Sequence, residues 1–435
     1  MTEVVSLGEV VRPIRPRVKP EVMPDAPFIG MEHVEAHTMK LLGTVPAGSM
    51  KSSAVHFKPG DVLYGRLRPY LNKVFRPSFE GLCSAEFIVL PENERIDGSY
   101  LQYFLNSSAF VRFAASLNAG DRPRVDFDQI APYKIPLPSL TRQREIVAEI
   151  EKQFSRLDEA VANLQRVKAN LKRYKASVLK AAVVGRLVET EASIAQREGR
   201  SYETGEQLLQ RILEERRAKW SGRGKYKEPD VPDPMPVLPK GWTWATLDTV
   251  CSKITDGTHH SPVSFPAGEF KYVTSKNVRE FRLDLSDISY VPAEVHEEIY
   301  ARCDVRYRDV LYVKDGASTG LAAVNTLIEP FSLLSSVGVF RPLDAVDSAY
   351  MAAYLNCSHV RDEMLANIAG VAITRLTLSK LKVSRIAVPP RAEQTRIVAE
   401  VDRHLSIIRE VEAEVDANLQ RVQALRQSTL SKAFT

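Results

Sequence analysis

The sequence predicts an α+β protein in which two similar globular domains are separated by two long helices. The helices are predicted to form an antiparallel coiled coil, which gives the chain a pseudo-twofold internal repeat. Three observations support this fold class. Several segments recur at a nearly constant distance along the chain, two stretches carry the apolar spacing of a coiled coil, and a proline-rich stretch separates the two copies.

The internal repeat is visible in short segments that recur in the same order. "IVAEI" at 146–150 returns as "IVAEV" at 397–401, which is 251 positions later. One four-letter match is expected by chance in a chain of this length, so the spacing of further matches decides. A distance that drifts slowly from 244 to 251 indicates a duplicated architecture with small insertions. The further pairs are "KIPLP" at 134 and "RIAVP" at 385, "YLQYFLNS" at 100 and "YMAAYLNC" at 350, "DVLY" at 61 and again at 309, and "FIG" at 28 and "YVT" at 272.

The breaks in this repeat divide the chain into five parts. The segment "KYKEPDVPDPMPVLPKGW" carries five prolines in eighteen residues, a density that neither a helix nor a central strand tolerates. It is therefore predicted to be a linker. We predict a first globular domain at 1–140, a central long helix at 141–185, a connector with a short helix at 186–240, a second globular domain at 241–390 and a distal long helix at 391–435.

Each long helix carries a narrow apolar stripe whose members alternate three and four positions apart. The two stripes keep the same phase at the distance of the repeat. A stripe this narrow does not stabilise a lone helix, so each helix is expected to pack against the other. The predicted stripe consists of Ile150, Phe154, Leu157, Val161, Leu164 and Leu171 in the first helix, and of Val401, Leu405, Ile408, Val415 and Val422 in the second.

The bulk composition is that of a globular protein, with 44% hydrophobic and 26% charged residues. No apolar run approaches 18 residues, and the first residues show no export signal. The four cysteines are scattered, which suits a reducing compartment. We therefore expect a cytoplasmic protein without a membrane partner. The net charge of +5 permits a nucleic-acid partner without requiring one.

Motifs that carry out catalysis are missing from the sequence. There is no phosphate-binding G-x-x-x-x-G-K-[ST] loop and no G-x-G-x-x-G after a strand. Cys251 and the histidines of "TDGTHH" at 255–260 could be imagined as a metal site, but a second ligand cluster is missing from the sequence, so a polar loop is the simpler explanation. We therefore predict no catalytic residue, no metal site and no cofactor in this chain, which excludes a self-sufficient enzyme.

Basic side chains interleaved with aromatic ones are the candidates for a binding role, and they occur in both copies. Arginine reads guanine and asparagine reads adenine by paired hydrogen bonds, while lysine mostly contacts phosphate. A solvated surface charge is the simpler explanation for each residue alone, but the recurrence in two domains favours DNA. The candidates are Arg66, Arg68, Tyr70, Lys73, Arg76, Arg122 and Arg124 in the first copy, and His259, Lys276, Asn277, Arg279, Lys314 and Arg375 in the second.

The orientation of the two helices bears on this role. The residues allow parallel and antiparallel pairing, and the connector of about 55 residues is long enough for either. Antiparallel pairing would relate the two domains by a pseudo-twofold axis, which is the symmetry that a DNA duplex presents to a protein. That match is the reason for the predicted antiparallel arrangement.

The chain resembles the specificity subunit of a type I restriction–modification system over its whole length. "LPKGWTWATLDTV" at 238–250 and "ITDGTHHSP" at 254–262 are similar to the start of a target-recognition domain in that family. "IPLPSLTRQREIVAEIE" and "IAVPPRAEQTRIVAEVD" resemble the beginnings of its two helical regions. The first domain departs from the pattern, because it begins with "VVSLGEVV" and lacks the Pro-x-Gly-Trp-x-Trp start.

The resemblance implies a non-catalytic subunit that binds DNA and holds a complex together. The two globular domains would be target-recognition domains, each binding one half of a bipartite, asymmetric site. The helices would dock two methyltransferase subunits, which methylate adenine N6, and restriction subunits would join through these. S-adenosylmethionine, ATP and Mg²⁺ would then be bound by the partner subunits. A coiled-coil adaptor whose duplicated domains bind protein is the alternative.

Overall fold

The computed structural model describes residues 3–14, 17–118, 120–218, 225–229, 236–366 and 376–434. The chain divides into two compact units. Unit 1 contains Met1–Val167 and Glu414–Thr435, and unit 2 contains Lys168–Ala413. Each long helix is therefore divided between the two units, and the predicted domain limits at 140 and 390 stay predictions.

Unit 1 is an α+β unit whose strands are short. It contains the strands β1 (Glu3–Ser6), β2 (Arg17–Val18), β3 (Pro27–Ile29), β4 (Val45–Pro46), β5 (Ala54–Phe57), β6 (Val62–Gly65), β7 (Val74–Phe75), β8 (Gly81–Ser84), β9 (Phe87–Leu90) and β10 (Lys134–Leu137). Its helices are α1 (Leu7–Val10), α2 (Gly98–Leu105), α3 (Ser108–Ser116), α4 (Phe127–Ile130), the first part of α5 (Leu140–Val183) and the last part of α13 (Arg391–Ala433). The strand orders are β1-β10, β2-β5-β8-β3-β4 and β7-β6-β9.

Unit 2 repeats this organisation after a helical connector. Its strands are β11 (Thr243–Thr246), β12 (Cys251–Asp256), β13 (Phe270–Val273), β14 (Val278–Arg279), β15 (Arg282–Leu283), β16 (Ser289–Val291), β17 (Val310–Val313), β18 (Ala322–Val324), β19 (Ser332–Leu333), β20 (Val337–Pro342) and β21 (Arg385–Val388). Its helices are the last part of α5, α6 (Glu191–Glu198), α7 (Gly205–Ala218), α8 (Leu247–Val250), α9 (Ala293–Arg302), α10 (Ser348–Asn356), α11 (Ser358–Ala366), α12 (Leu378–Val383) and the first part of α13 (Arg391–Ala433). The strand orders are β11-β21, β12-β20-β17-β18, β16-β13-β19 and β14-β15.

Strand register reproduces the sequence repeat. The antiparallel pair β1–β10 of unit 1 corresponds to β11–β21 of unit 2, and β6–β9 corresponds to β17–β20. The parallel pair β3–β8 aligns Phe28 with Leu82, and its counterpart β13–β19 aligns Tyr272 with Ser332. The distances that separate these residues in sequence are those of the repeat, so the duplication extends to individual backbone pairings.

One difference between the two units lies beside β8 and its counterpart β19. In unit 1 the strand β5 pairs with β8 along four residues. In unit 2 the helix α9 packs beside β19, the counterpart of β8, and His296 of α9 lies 3.0 Å from the Ser332 hydroxyl through its Nδ1. Burial lowers the pKa of His296, so the neutral ring is favoured at this position.

The two long helices run antiparallel, as contacts within each unit demonstrate. In unit 1, Gln153 of α5 contacts Thr429 of α13, with 3.2 Å between their polar side-chain atoms, while Asp158 forms an ion pair with Arg426. As the residue numbers increase along α5, the numbers of the contacting residues in α13 decrease. In unit 2, the Tyr174 hydroxyl lies 2.8 Å from Nδ1 of His404. The predicted fold class, including the antiparallel coil, is confirmed.

The predicted stripe is buried to different depths along the helices. In the first helix Ile150 and Phe154 are buried, while the remaining four members are half-buried. In the second helix all five members, Val401, Leu405, Ile408, Val415 and Val422, are buried. Phe154 makes an edge contact with Tyr103 and lies under the Arg426 guanidinium at 5.0 Å.

The connector of unit 2 is anchored by a buried carboxylate. Glu393 has no exposed surface, and it accepts hydrogen bonds from Trp242 Nε1 and from the Glu191 backbone N–H, both at 2.9 Å. Burial raises the pKa of Glu393. Burial also acts to raise the pKa of Glu191, but hydrogen bonds from Arg200 and Arg396 outweigh it and lower that pKa. The start of α6 is thereby fixed to the first turn of α13.

Candidate nucleic-acid interface

Two basic segments that lie far apart in the sequence of unit 1 are hydrogen-bonded to each other. The segment that follows β6 donates from the Arg68 backbone N–H to the Pro123 carbonyl at 2.7 Å. The Val125 N–H donates in return to the Arg66 carbonyl at 3.0 Å. The candidates Arg66, Arg68, Arg122 and Arg124 therefore belong to one surface, which we call the paired loops (residues 65–73 and 120–125).

The first of the paired loops contains a tight, left-handed turn. Arg68 and Asn72 have φ values of 52° and 43°, on either side of a single 3₁₀ turn at Pro69–Leu71. Non-glycine residues adopt this region at a cost, so the surrounding structure must hold it. Asn72 is buried and donates from its side-chain amide to Asn106 Oδ1 at 2.7 Å. The exposed residues of the turn are Arg68 and Tyr70.

Most cations of the paired loops and of the strand after them already have partners within the chain. Arg66 forms an ion pair with Asp126, and Arg124 with Glu86 at 2.6 Å. In addition, Arg76 contacts Glu92 at 3.1 Å and Lys73 donates to the Met31 carbonyl at 2.6 Å. Within the described ranges, Arg68 and Arg122 are the two of these candidates that are exposed and have no ion-pair partner.

Unit 2 builds the same backbone arrangement with other side chains. Lys314 takes the position of Arg66, because its N–H donates to the Ser336 carbonyl at 2.9 Å and its carbonyl accepts from the Leu376 N–H at 3.0 Å. Its side chain is 2% exposed, and its ammonium lies 3.3 Å from carboxylate oxygens of both Asp256 and Asp315. The duplicated frame therefore holds a half-buried arginine in one unit and a buried lysine in the other.

Asp256 of unit 2 holds several cations at once. Its carboxylate is buried and receives Arg302 at 2.7 Å in addition to Lys314. The candidate His259 lies 3.4 Å from the same carboxylate and 3.0 Å from Arg302. His259 stays partly exposed at 43% of its side chain, so it remains a candidate for contact with a ligand.

In the segment 276–279 of unit 2, two of the predicted DNA contacts keep exposed surface and one is buried. Lys276 is exposed in part and pairs with Asp287 at 2.8 Å, while Arg279 lies 3.8 Å from Asp284. Asn277 is 1% exposed, and its side chain accepts from the Thr274 N–H and donates to the carbonyls of Asp284 and Asp287. Its amide thus closes a turn of the protein.

Two predicted DNA contacts are corrected by burial. Asn277 and Lys314 are not retained as DNA contacts, because their polar atoms face partners inside the protein and have no surface left for a base or phosphate. Arg375 lies outside the described residues. The remaining candidates keep an exposed or partly exposed side chain and stay predictions.

Sequence reasoning missed the acidic partners that orient the arginines. Glu86 directly precedes β9 and Asp126 directly precedes α4, and neither lies near its arginine in sequence. Only the fold brings them together. The one local signal was the "DFDQ" capping box at Asp126, which marks a helix start and predicts no ion pair.

Two further properties concern the described parts of the chain as a whole. No group of three or more histidine, cysteine, aspartate or glutamate side chains there is arranged to hold a metal ion. No helix there is long and apolar enough to cross a membrane.

Comparison with known families decides the relationship. The model of the type I restriction modification DNA specificity domain matches residues 2–173 and again residues 239–420. The chain belongs to this family. The two matched segments coincide with the two copies of the repeat, and the predicted resemblance to type I specificity subunits is confirmed.

Curated relatives include specificity subunits of type I restriction enzymes from Escherichia coli. The EcoDI specificity subunit is 27% identical over 209 residues, which are 47% of this chain and 45% of that protein. The EcoBI specificity subunit is 22% identical over 304 residues, which are 69% of this chain and 57% of that protein. The alignments thus span about half the length of these relatives.

The chain shares its fold over its whole length with chains in two solved structures. A chain from a structure of the assembly and conformational transition of a type I R-M system superposes with a TM-score of 0.67 at 22% identity, covering 100% of this chain and 97% of that one. The HsdS subunit from Thermoanaerobacter tengcongensis gives a TM-score of 0.53 at 21% identity, covering 100% and 96%.

Proposed function

We propose that this chain is a non-catalytic specificity subunit that reads a bipartite, asymmetric DNA site, with one half bound by each unit. The observation that carries the proposal is the duplicated loop frame with unlike side chains. The backbone contacts around Arg66 recur around Lys314, yet the exposed residues beside them differ. A retained scaffold with altered loops lets two copies recognise two different sequences.

The charges of the paired loops support DNA as the ligand of unit 1. Arg68 and Arg122 are exposed and have no carboxylate partner among the described residues, and Tyr70 lies on the same turn as Arg68 with 45% of its surface exposed. Arginine and tyrosine contact both phosphates and base edges in protein–DNA complexes. Unpaired cations also attract a polyanion over a distance, which accelerates association.

Catalysis is proposed to reside in partner subunits. The helices would dock two methyltransferase subunits, through which restriction subunits join, in the cytoplasm. The methyltransferases would bind S-adenosylmethionine and modify adenine N6 after turning the base out of the duplex. ATP and Mg²⁺ would serve the restriction subunits. This chain would supply the two DNA contacts and the fixed distance between them.

A domain exchange tests the proposal. Residues 241–385 are replaced by the corresponding segment of another family member, and the methylated adenine motif is mapped in cells that carry each complex. We expect one half of the motif to change and the other to persist. The unaltered complex should lose affinity for its site steeply with salt, because bound phosphates release counterions.

Two outcomes would contradict the proposal. A change in both halves would mean that the units do not each read one half. Sequence-independent association, or binding that is insensitive to salt, would favour the adaptor that binds protein. A control substitution of an exposed acidic residue between β9 and α2, Glu94→Ala, should leave the motif unchanged because this side chain lies outside the paired loops and the long helices.

A further inference from the structure

We infer that Arg68 reads a guanine in the half-site bound by unit 1, and that Arg66 and Arg124 are positioning residues that hold the paired loops in place. The inference rests on the proposed function and assigns the base-reading residue within it. It also replaces the broader prediction that any cation of this surface, Arg66 included, could contact a base.

Arg66 and Arg124 are committed to the protein itself. Arg66 is ion-paired to Asp126, and Arg124 is bound to Glu86 at 2.6 Å. Glu86 also accepts the Arg66 N–H through its backbone carbonyl at 2.9 Å, so each ion pair ties one loop to the other. Breaking such a pair to reach a base would leave a carboxylate facing DNA phosphates, which is unfavourable.

Arg68 differs from these two arginines because it is exposed and its backbone is held from two directions. Its N–H donates to the Pro123 carbonyl at 2.7 Å, and its carbonyl accepts from Leu71 N–H at 2.8 Å. Asn72, which ends the turn, is fixed by its buried amide contact with Asn106. The left-handed backbone at Arg68 is thus retained by contacts on both sides, which fixes the point from which its side chain extends before DNA arrives.

The guanidinium of Arg68 suits one base above the others. Its planar pair of N–H groups matches the O6 and N7 acceptors of guanine in the major groove. Tyr70, two positions later on the same turn and 45% exposed, can pack its ring against a neighbouring base or sugar. Arg122 lies in residues 120–125, which begin with Gly120 at a φ of 116° and contain no 3₁₀ turn of this kind. We therefore assign Arg122 to a phosphate contact.

The experiment compares Arg68→Lys, Arg68→Ala, Arg66→Lys and Arg122→Ala in the complete complex with its methyltransferase partner. The motif of methylated adenines is mapped in cells, and binding is measured on duplexes with single base changes. Arg68→Lys keeps the charge but loses the planar fork. Discrimination at one G·C pair should fall by about 5- to 140-fold, while the other positions stay unchanged.

Arg122→Ala serves as the matched control for charge. It should weaken binding to all sequences alike and reduce the slope of log affinity against log salt by about one contact, without altering the motif. Thermal melting of each complex checks that the variants fold. Arg68→Lys preserves most of the packing of the side chain and keeps the test valid if Arg68→Ala does not fold.

The inference is overturned if Arg68→Lys retains the full motif, or if the relaxed position lies in the half that changes when residues 241–385 are exchanged. Failure of the proposed function looks different, because the unaltered complex would then show no sequence preference at all. Relaxation at Arg66→Lys in place of Arg68→Lys would also overturn it, by moving the base contact to a residue assigned to positioning.

Discussion

Units 1 and 2 agree most closely in their buried hydrogen bonds and least in their exposed side chains. Gln143 of unit 1 accepts from the Asp97 N–H at 2.9 Å and donates to the carbonyls of Arg95 and Pro138. Gln394 of unit 2 accepts from the Asp347 N–H at 2.8 Å and donates to the carbonyls of Ala345 and Pro389. The same three bonds fix the first turn of each long helix to its globular part.

Other buried groups repeat in the same way. The Tyr100 hydroxyl donates to the Pro136 carbonyl at 2.8 Å, and the Tyr350 hydroxyl donates to the Ala387 carbonyl at 2.8 Å. Each of these bonds satisfies a polar group that would be costly to bury alone. Duplication has therefore preserved the positions where a substitution leaves an unpaired buried group, and it has released the positions where solvent can compensate.

The largest expected effect concerns the apolar seam. Phe154→Ala in unit 1 and Leu405→Ala in unit 2 remove side chains at equivalent buried positions. Each should lower the free energy of unfolding by about 3–4 kcal/mol, because a cavity replaces packed atoms. Guanidinium denaturation measures the loss, and Ser155→Ala, at an exposed neighbour, should change it by less than about 0.5 kcal/mol. A large loss at only one site would show that the two seams are not equivalent.

Loss of the hydrogen bonds made by Gln143 and Gln394 should give the next largest effect. Gln143→Ala and Gln394→Ala each remove one acceptor and two donations from a fully buried side chain. We expect a loss of about 3 kcal/mol in unfolding free energy for each, with the two values agreeing within about 1 kcal/mol. Urea or guanidinium titration compares them with Gln165→Ala, at an exposed glutamine on α5. Unequal losses would contradict the equivalence of these two glutamines in units 1 and 2.

The smallest effect tests a position where the units disagree. Arg142 of unit 1 is exposed and pairs with Glu145, whereas its counterpart in unit 2 is the buried Glu393. Arg142→Ala should cost less than about 0.5 kcal/mol. Glu393→Ala should cost about 2 kcal/mol, because the Trp242 indole and the Glu191 N–H lose their acceptor. Equal costs would contradict the structural difference.

Glu393 also predicts a pH dependence of opposite sign to that of a salt-bridged acid. Its pKa is raised in the folded chain, so the folded state takes up a proton before the unfolded state as pH falls. The contribution of Glu393 to the free energy of unfolding therefore increases as the pH falls from above its folded pKa toward the ordinary value near 4.5. The unfolding free energies of the unaltered chain and of Glu393→Gln are measured at pH 7 and at pH 5. On going from pH 7 to pH 5, the difference between them should change in favour of the unaltered chain. A change in favour of the variant would contradict the raised pKa of Glu393 in the folded chain.

The sequence predicts the repeat and the helices well, because both depend on short-range patterns. The distance between "DVLY" segments and the stripe from Ile150 to Leu164 follow from periodicity alone. Helix orientation does not, since identical stripes pair in either direction and the choice depends on contacts such as Gln153 with Thr429. The replacement of β5 by α9 also depends on the packing of the whole unit.

The candidate interface is predictable only in part. Interleaved arginines and tyrosines locate the loops, but charge alone does not distinguish a cation that faces solvent from one that is neutralised. Lys314 resembles Arg66 in position and is nevertheless 2% exposed, because Asp256 approaches it from another strand. Asn277 similarly satisfies carbonyls seven and ten residues ahead. Such partners are separated in sequence and become visible only once the fold is known.

The division of the long helices between the units has a consequence for synthesis on the ribosome. Ile150 and Phe154 pack against Leu430, and all of residues 168–413 must be translated between them. At about 5–20 residues per second this takes roughly 10–50 s. During that interval the nascent first unit exposes an apolar seam that only a later segment can cover, so chaperones or a neighbouring nascent chain have time to bind it.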